Sequence, residues 1–164
     1  MIDKGSVSYM SIVLQMLPSA KNNQTILEIL DSIDRKHNIL GYSHNPYSHY
    51  YGIYSESSTF TRLIGFSKFE EPDETSAELD TLAIHADYQK RGFGSQLLTS
   101  SIQQLQIRFP HVQKIIIPNG ERAIGFYTKN GFKKVEEGKE RFLVKQLEQN
   151  RVSNFLRFLT EKRD

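Results

Sequence analysis

The chain has 164 residues, 38% of them hydrophobic and 24% charged, with a formal net charge of +2. That is enough for a single domain, residues 1–164, with a core of its own. The near balance of charge argues against bulk attraction to nucleic acid or an anionic membrane. The absence of cysteine excludes disulfides, cysteine-ligated zinc and thiol nucleophiles.

In chain order, residues 6–16 alternate and carry β-branched side chains, the pattern of a strand. A secretory leader is the competing reading of Val7 to Leu17, with Pro18-Ser19-Ala20 as its cleavage site. Asp3 cancels Lys4, however, and Ser8, Tyr9, Ser11 and Gln15 interrupt the apolar run. No stretch approaches the roughly 20 apolar residues that span a bilayer, so a cytoplasmic protein is expected. Asn22 or Asn23 is the expected cap of a helix with Ile26, Ile29, Leu30 and Ile33 on one face. Residues 41–51, dense in Gly, Ser, Asn, Tyr and His, read as a loop entering a strand. Residues 50–55 and 63–69 follow as a strand pair. Glu70, Glu71, Asp73 and Glu74 surround Pro72 in an exposed turn, and residues 77–86 form the next strand. After Gly94 the period becomes helical, with Leu97, Leu98, Ile102, Leu105 and Phe109 on one face until Pro110. Residues 114–117 make a short apolar strand that Pro118 ends. Residues 121–130 make a short helix with Gly131 as its C-terminal cap. Residues 132–136 and 141–147 pair across Glu137-Gly138, and Val152, Phe155, Leu156 and Leu159 mark a terminal helix over 148–164.

Strand, helix and strand from 77 to 117 form a crossover unit, so part of the sheet is expected to be parallel. The early strand pair and the final hairpin require antiparallel parts. The expected class is therefore α/β (mixed α+β): a twisted, mostly antiparallel mixed sheet of about six to seven strands with helices on both faces.

The most informative stretch runs from Leu82 through His85 and Gln89-Lys90-Arg91-Gly92-Phe93-Gly94 to Ser95. A strand enters a glycine-containing turn that opens straight into a long helix. The unpaired N–H groups of a first helical turn, with the helix dipole, make an anion site. Gly92 and Gly94 lack a Cβ and let a phosphate approach the backbone, and Lys90 and Arg91 add positive charge. A P-loop needs Lys-Ser or Lys-Thr at a spacing not found here. A dinucleotide fingerprint needs a third glycine. Arg91-Gly92-Phe93-Gly94 also copies the start of an RNA-recognition motif, but that motif continues on a strand.

Gln89-Lys90-Arg91-Gly92-Phe93-Gly94 resembles the Gln/Arg-x-x-Gly-x-Gly/Ala signature of the GCN5-related N-acetyltransferase (GNAT) family. Ala123 to Phe132 (AIGFYTKNGF) resembles that family's second motif. The resemblance covers a core of about residues 77–135. It implies a GNAT-like fold and an acetyltransferase that uses acetyl-CoA as cosubstrate and no metal. It further implies that the amides of Gln89, Lys90, Arg91, Gly92, Phe93, Gly94 and Ser95 hold the CoA pyrophosphate. The main chain of Leu82, Ala83 and Ile84 would pair with the peptide-like pantetheine arm. Tyr127 would protonate or hydrogen-bond the departing thiolate, whose pKa is about 8.5. The family often places an asparagine three residues before the alanine of the second motif, and here that position is Gly120. Either an extra loop residue lets Asn119 reach the cofactor or the contact is lost.

The acceptor implied is a small-molecule or peptide primary amine, attacked directly in a ternary complex. An ordinary lysine-like amine is neutral in only roughly one molecule in two thousand at pH 7, so a group must take its proton. Glu78 and Asp80 share a face of their strand by period 2, and resemblance favours Glu78. His85 is a weaker candidate, expected to be a surface or hydrogen-bonded residue. The aromatic and imidazole groups of residues 42–51 are either acceptor-site lining or a packed loop. The acids of residues 70–74 are either a lure for a basic substrate or a solvated turn. Neither nucleic acid nor membrane is an expected partner, and monomer and homodimer stay open. A non-catalytic acyl-CoA-binding domain is the alternative function, and an RNA-binding module the remote one.

Overall fold

The computed structural model describes residues 10–16, 20–33, 47–56, 61–118, 123–138 and 140–148. The leader-like residues before 10, the tract 41–46, Asn119, Gly120 and the expected terminal helix beyond 148 lie outside them. The alternating segments form strands β1 (Met10–Met16), β2 (His49–Glu56), β3 (Thr61–Phe69) and β4 (Ser76–Ile84), each antiparallel to the one before it. β5 (Lys114–Ile117) lies parallel to β4, and the hairpin of β6 (Lys133–Glu137) and β7 (Glu140–Gln146) adds on through β7. The result is a seven-stranded sheet in the order β1-β2-β3-β4-β5-β7-β6. This is the expected mixed, mostly antiparallel architecture, with its one parallel pair at the crossover.

Helices α1 (Ala20–Ile33) and α2 (Phe93–Arg108) bury opposite faces of the sheet. Ile26 and Ile29 of α1 pack with Met16, Tyr50, Leu63, Phe66 and Ala83. Leu97, Leu98, Ile102 and Leu105 of α2 pack into a larger cluster with Ile53, Ile64, Phe69, Leu79 and Ile115. The spacing of these leucines and isoleucines puts them on one helical stripe, and each fully buried one contributes about 1.5–3 kcal/mol. A short helix α3 (Ile124–Lys129) follows β5. Gly131, at φ +87°, ends it in the left-handed conformation expected of a C-terminal glycine.

Several boundaries shift by one to three residues, and two of the shifts are informative. α1 begins at Ala20, so Asn22 and Asn23 have helical backbones and neither is the N-cap, which requires a non-helical one. β4 ends at Ile84 rather than at residue 86, because the chain turns into a 3-10 turn (Ala86–Tyr88). There Tyr88 N–H bonds to His85 O at 2.9 Å and Gln89 N–H to Ala86 O at 3.3 Å.

Two irregularities in β4 shape the molecule. Lys68 faces Thr81 and Phe69 faces Leu79, which leaves Asp80 as the extra residue of a β-bulge. The extra residue shifts the side-chain alternation by one. Ala77 and Leu79 before it and Leu82 and Ile84 after it all join the α2-side cluster, while Ala83 joins the α1 side. In addition, β4 pairs with β5 only from Ser76 to Glu78. From Leu79 to Ile84 its partners among the described residues lie on β3 alone. The sheet therefore splits, and the second half of β4 presents an unpaired main-chain edge.

Candidate functional site

The split edge of β4 leads directly into the glycine-containing turn. His85 caps the 3-10 turn, its Nδ1 accepting from Asp87 N–H at 3.3 Å, and its ring lies edge-on to Tyr88. It is thus the hydrogen-bonded histidine expected. Gln89 folds back to donate from Nε2 to Ile84 O at 3.0 Å, so this side chain ties the turn to the strand. Lys90 takes a left-handed backbone (φ +60°) and Gly92 another (φ +86°, ψ −9°) before α2 starts. A non-glycine residue at positive φ stores roughly 1–2 kcal/mol of strain.

Gly92 is the N-cap of α2 and supplies no side chain to cap it. The first intrahelical bond of the turn is Gln96 N–H to Gly92 O at 3.1 Å, so the amides of Phe93, Gly94 and Ser95 open outward at the positive end of the helix dipole. Lys90 and Arg91 are exposed beside them, with the Arg91 guanidinium 5.8 Å from the centre of the Tyr88 ring. A Cβ on Gly92 would meet nothing within 4 Å, as an approachable anion cradle requires. Gly94 has a packing role as well. A Cβ there would press on the Phe126 ring at 3.3 Å, so its missing side chain serves the packing of α3 against α2.

α3 brings Tyr127 beside that turn through its neighbour Phe126. The Tyr127 ring sits 5.2 Å from Phe126 and 5.6 Å from Phe132, half-buried against the α2-side core. Burial pushes its hydroxyl above the ordinary tyrosine value, so it is a protonated donor at neutral pH. No hydrogen bond of that hydroxyl occurs among the described residues.

On β4, Glu78 and Asp80 are both exposed, but they are not equivalent. Asp80 accepts from Thr81 Oγ1 at 2.8 Å and from Lys68 Nζ at 3.2 Å, while Lys68 also reaches Glu70 at 2.6 Å. The Lys68 side chain is only 14% exposed. Its burial opposes charge, but the Glu70 and Asp80 carboxylates outweigh that and hold its pKa above the ordinary value. The Glu78 carboxylate has no hydrogen-bond partner among the described residues. Partial burial, and then the charges of Asp80 and Glu70, raise its pKa above the ordinary glutamate value. A carboxylate that holds its proton more tightly is the better proton acceptor. Lys68 is the member of this group that sequence reasoning missed; the available signal was a lysine inside the mostly apolar run from Leu63 to Phe69.

Other candidates are drawn into the structure. Tyr50 and Tyr51 are 2% and 1% exposed, in opposite cores, and burial pushes the Tyr51 hydroxyl up to about 12. His49 is buried against Phe109 and bonded to Glu71 at 2.9 Å. The packed reading thus holds for residues 48–51. Arg91-Gly92-Phe93-Gly94 lies on a turn and a helix start, where the RNA motif needs a strand. No group of three or more metal-binding side chains occurs among the described residues. No helix among them is long and apolar enough to cross a membrane.

Comparison with known proteins gives a consistent result. Residues 46–134, just over half of the chain, match the acetyltransferase (GNAT) domain family. No curated protein sequence matches. Among solved structures, a GNAT-family acetyltransferase from Staphylococcus aureus superposes with a TM-score of 0.63 at 16% identity, over 85% of this chain and 100% of that one. The PaiA N-acetyltransferase from Thermoplasma acidophilum, solved with coenzyme A, superposes at 0.59 with 17% identity over 83% and 99%. A GNAT-family acetyltransferase from Elizabethkingia anophelis with acetyl-CoA bound gives 0.57 and 16% over 84% and 98%. At these identities the three establish a shared fold.

Proposed function

This chain belongs to the GNAT family of acetyltransferases, and on that premise we propose that it transfers acetyl from acetyl-CoA to a primary amine by direct attack in a ternary complex. The observation that carries the proposal is the uncapped, glycine-led first turn of α2 lying at the end of a half-unpaired strand. Those two features present an anion site and a peptide-like edge in continuity, and the donor is an anion joined to a peptide-like arm. The structures from Thermoplasma acidophilum and Elizabethkingia anophelis, with coenzyme A and acetyl-CoA, support the reading.

In this reading the amides from Lys90 to Ser95 hold the pyrophosphate, helped by the charges of Lys90 and Arg91. The Gln89 N–H is spent on Ala86 O, and that residue acts by shaping the turn. The main chain of Leu82, Ala83 and Ile84 pairs with the pantetheine arm, as an added strand would. Acetyl-CoA supplies an acyl carbon activated by a thiolate leaving group. Glu78, directly or through water, takes the proton that the acceptor nitrogen must lose as its bond to the acyl carbon forms. Tyr127 gives its hydroxyl proton, or a hydrogen bond, to the sulfur as the carbon–sulfur bond breaks. The raised pKa of each group suits what it does, since Glu78 has to accept a proton and Tyr127 has to keep one until the sulfur departs. The acceptor is a small-molecule or peptide amine.

Calorimetric titration with acetyl-CoA, using ATP as a control, tests the foundation. Micromolar binding of acetyl-CoA with none of ATP is expected. Failure to bind at millimolar acetyl-CoA would remove the phosphate-site argument and the donor assignment with it.

A further inference from the structure

Asn130 closes α3 as a C-cap does, its N–H bonding to the carbonyls of Phe126 at 3.2 Å and Tyr127 at 3.0 Å. Its side chain reaches further. Nδ2 donates to Phe126 O at 2.9 Å and to Ser95 Oγ at 3.2 Å, the second bond joining two different helices. A carbonyl oxygen only accepts, so Phe126 O demands the amide nitrogen on that side, which settles the orientation of the asparagine amide.

The consequence falls on Ser95. Facing a donor, its oxygen is the acceptor, and its own proton is left over. No described residue takes that proton. A helical serine commonly turns its hydroxyl back onto a carbonyl of the preceding turn, and among the described residues no such bond forms at Ser95. Ser95 is also the third residue after the N-cap Gly92, so its amide is among the uncapped ones. Two donors of one residue therefore remain at the positive end of α2. Lys145 of β7 supports the arrangement from behind, its Nζ donating to Asn130 O at 2.8 Å.

We propose that Asn130 is a positioning residue for the donor pyrophosphate, acting through Ser95 by keeping that hydroxyl proton available to the anion. It thereby couples α3, which carries Tyr127, to the turn that holds the phosphates. This inference rests on the reading of that turn as the acetyl-CoA phosphate site.

The test compares Asn130→Leu, Ser95→Ala and the double variant by calorimetry with acetyl-CoA, and by ligand-observed NMR with S-acetylpantetheine, which lacks the pyrophosphate. Each single change is expected to weaken acetyl-CoA roughly tenfold, the scale of one hydrogen bond to a charged group. The double variant should be no weaker than Ser95→Ala, because the asparagine acts only through the serine. S-acetylpantetheine should bind all variants alike. Should Asn130→Leu fold poorly, Asn130→Asp keeps the size, replaces the donor by an acceptor, and carries the same expectation. Equal losses for both ligands would mean that Asn130 only stabilises α3, and the inference would fall. Losses that multiply in the double variant, or an unchanged acetyl-CoA affinity in Asn130→Leu, would overturn it as well. Wild-type protein that binds no acetyl-CoA would instead overturn the phosphate-site reading itself.

Discussion

β4 is entered through one polar turn and left through another, and the two are wired in opposite ways. In the entering turn (residues 70–75) three of the four carboxylates are consumed inside the protein, and Glu74 stays exposed to solvent. Glu70 is held by Ser48 and Lys68, Glu71 by His49, and Asp73 by the amides of Thr75 and Ser76 and by the Ser76 hydroxyl. In the leaving turn (residues 85–92) the side chains of His85 and Gln89 bond locally, while the helix-end amides beyond it stay uncapped. Charge density on a loop therefore does not locate a ligand. Leftover bonding capacity is what sets the two turns apart.

The largest expected effect that would sharpen this contrast lies at the open end. Tyr127→Phe should lower kcat roughly hundredfold while leaving acetyl-CoA affinity unchanged, measured by steady-state kinetics beside calorimetry. Unaltered turnover would mean that the chemistry does not use this tyrosine, and a wild type without turnover would leave the chain a binding domain. Next, Gly92→Val forces a β-branched residue to φ +86° and should weaken acetyl-CoA binding about tenfold, since roughly 1–2 kcal/mol of strain must be absorbed or the turn must open.

At the closed end, Asp73→Ala should cost about 1 kcal/mol, the scale of a net hydrogen bond lost from the turn. The melting temperature would fall by about 2–4 °C with no change in acetyl-CoA affinity. The pH dependence has a definite sign. The hydrogen bond from the Ser76 hydroxyl, then those from the amides of Thr75 and Ser76, lower the Asp73 pKa in the folded state. Its contribution is therefore present above the unfolded carboxylate value of about 3.9 and is lost as pH falls through the lower folded value. Thermal melts of wild type and variant should converge in that acid window. A drop in donor affinity in Asp73→Ala would break the contrast, because the entering turn would then belong to the site.

The smallest expected effect on stability is at Glu78. Its raised pKa means that the folded state disfavours its charge, so the ionised carboxylate reduces stability above the folded value. Glu78→Gln should raise the melting temperature by about 1 °C at neutral pH. That gain should vanish below the unfolded value of about 4.3. A variant less stable than wild type at pH 7 would mean that Glu78 has a favourable partner.

How much of this was legible follows from how far apart the interacting residues lie. The helical stripe of Leu97, Leu98, Ile102 and Leu105, the strand alternation of 50–55 and 63–69, and the hairpin across Gly138 all depend on neighbours within a few positions. All three form as expected. The phosphate-turn motif was legible for the same reason, since strand, turn and helix start are contiguous. The bulge at Asp80 was not, because it is defined only by the register of β4 against β3. The packing of Gly94 against Phe126 was equally hidden, since Phe126 arrives from another helix.

By itself, the sequence determined the element order, the mixed sheet and the glycine-led turn that opens α2, because periodicity and turn chemistry act locally along the chain. The tertiary structure alone decided which polar groups are spent and which are left. Ser48 reaching Glu70, His49 reaching Glu71 and Asn130 reaching Ser95 are encounters across long chain separations. Hydrogen-bonding capacity left over after folding is a property of the packed molecule, and no residue carries it alone.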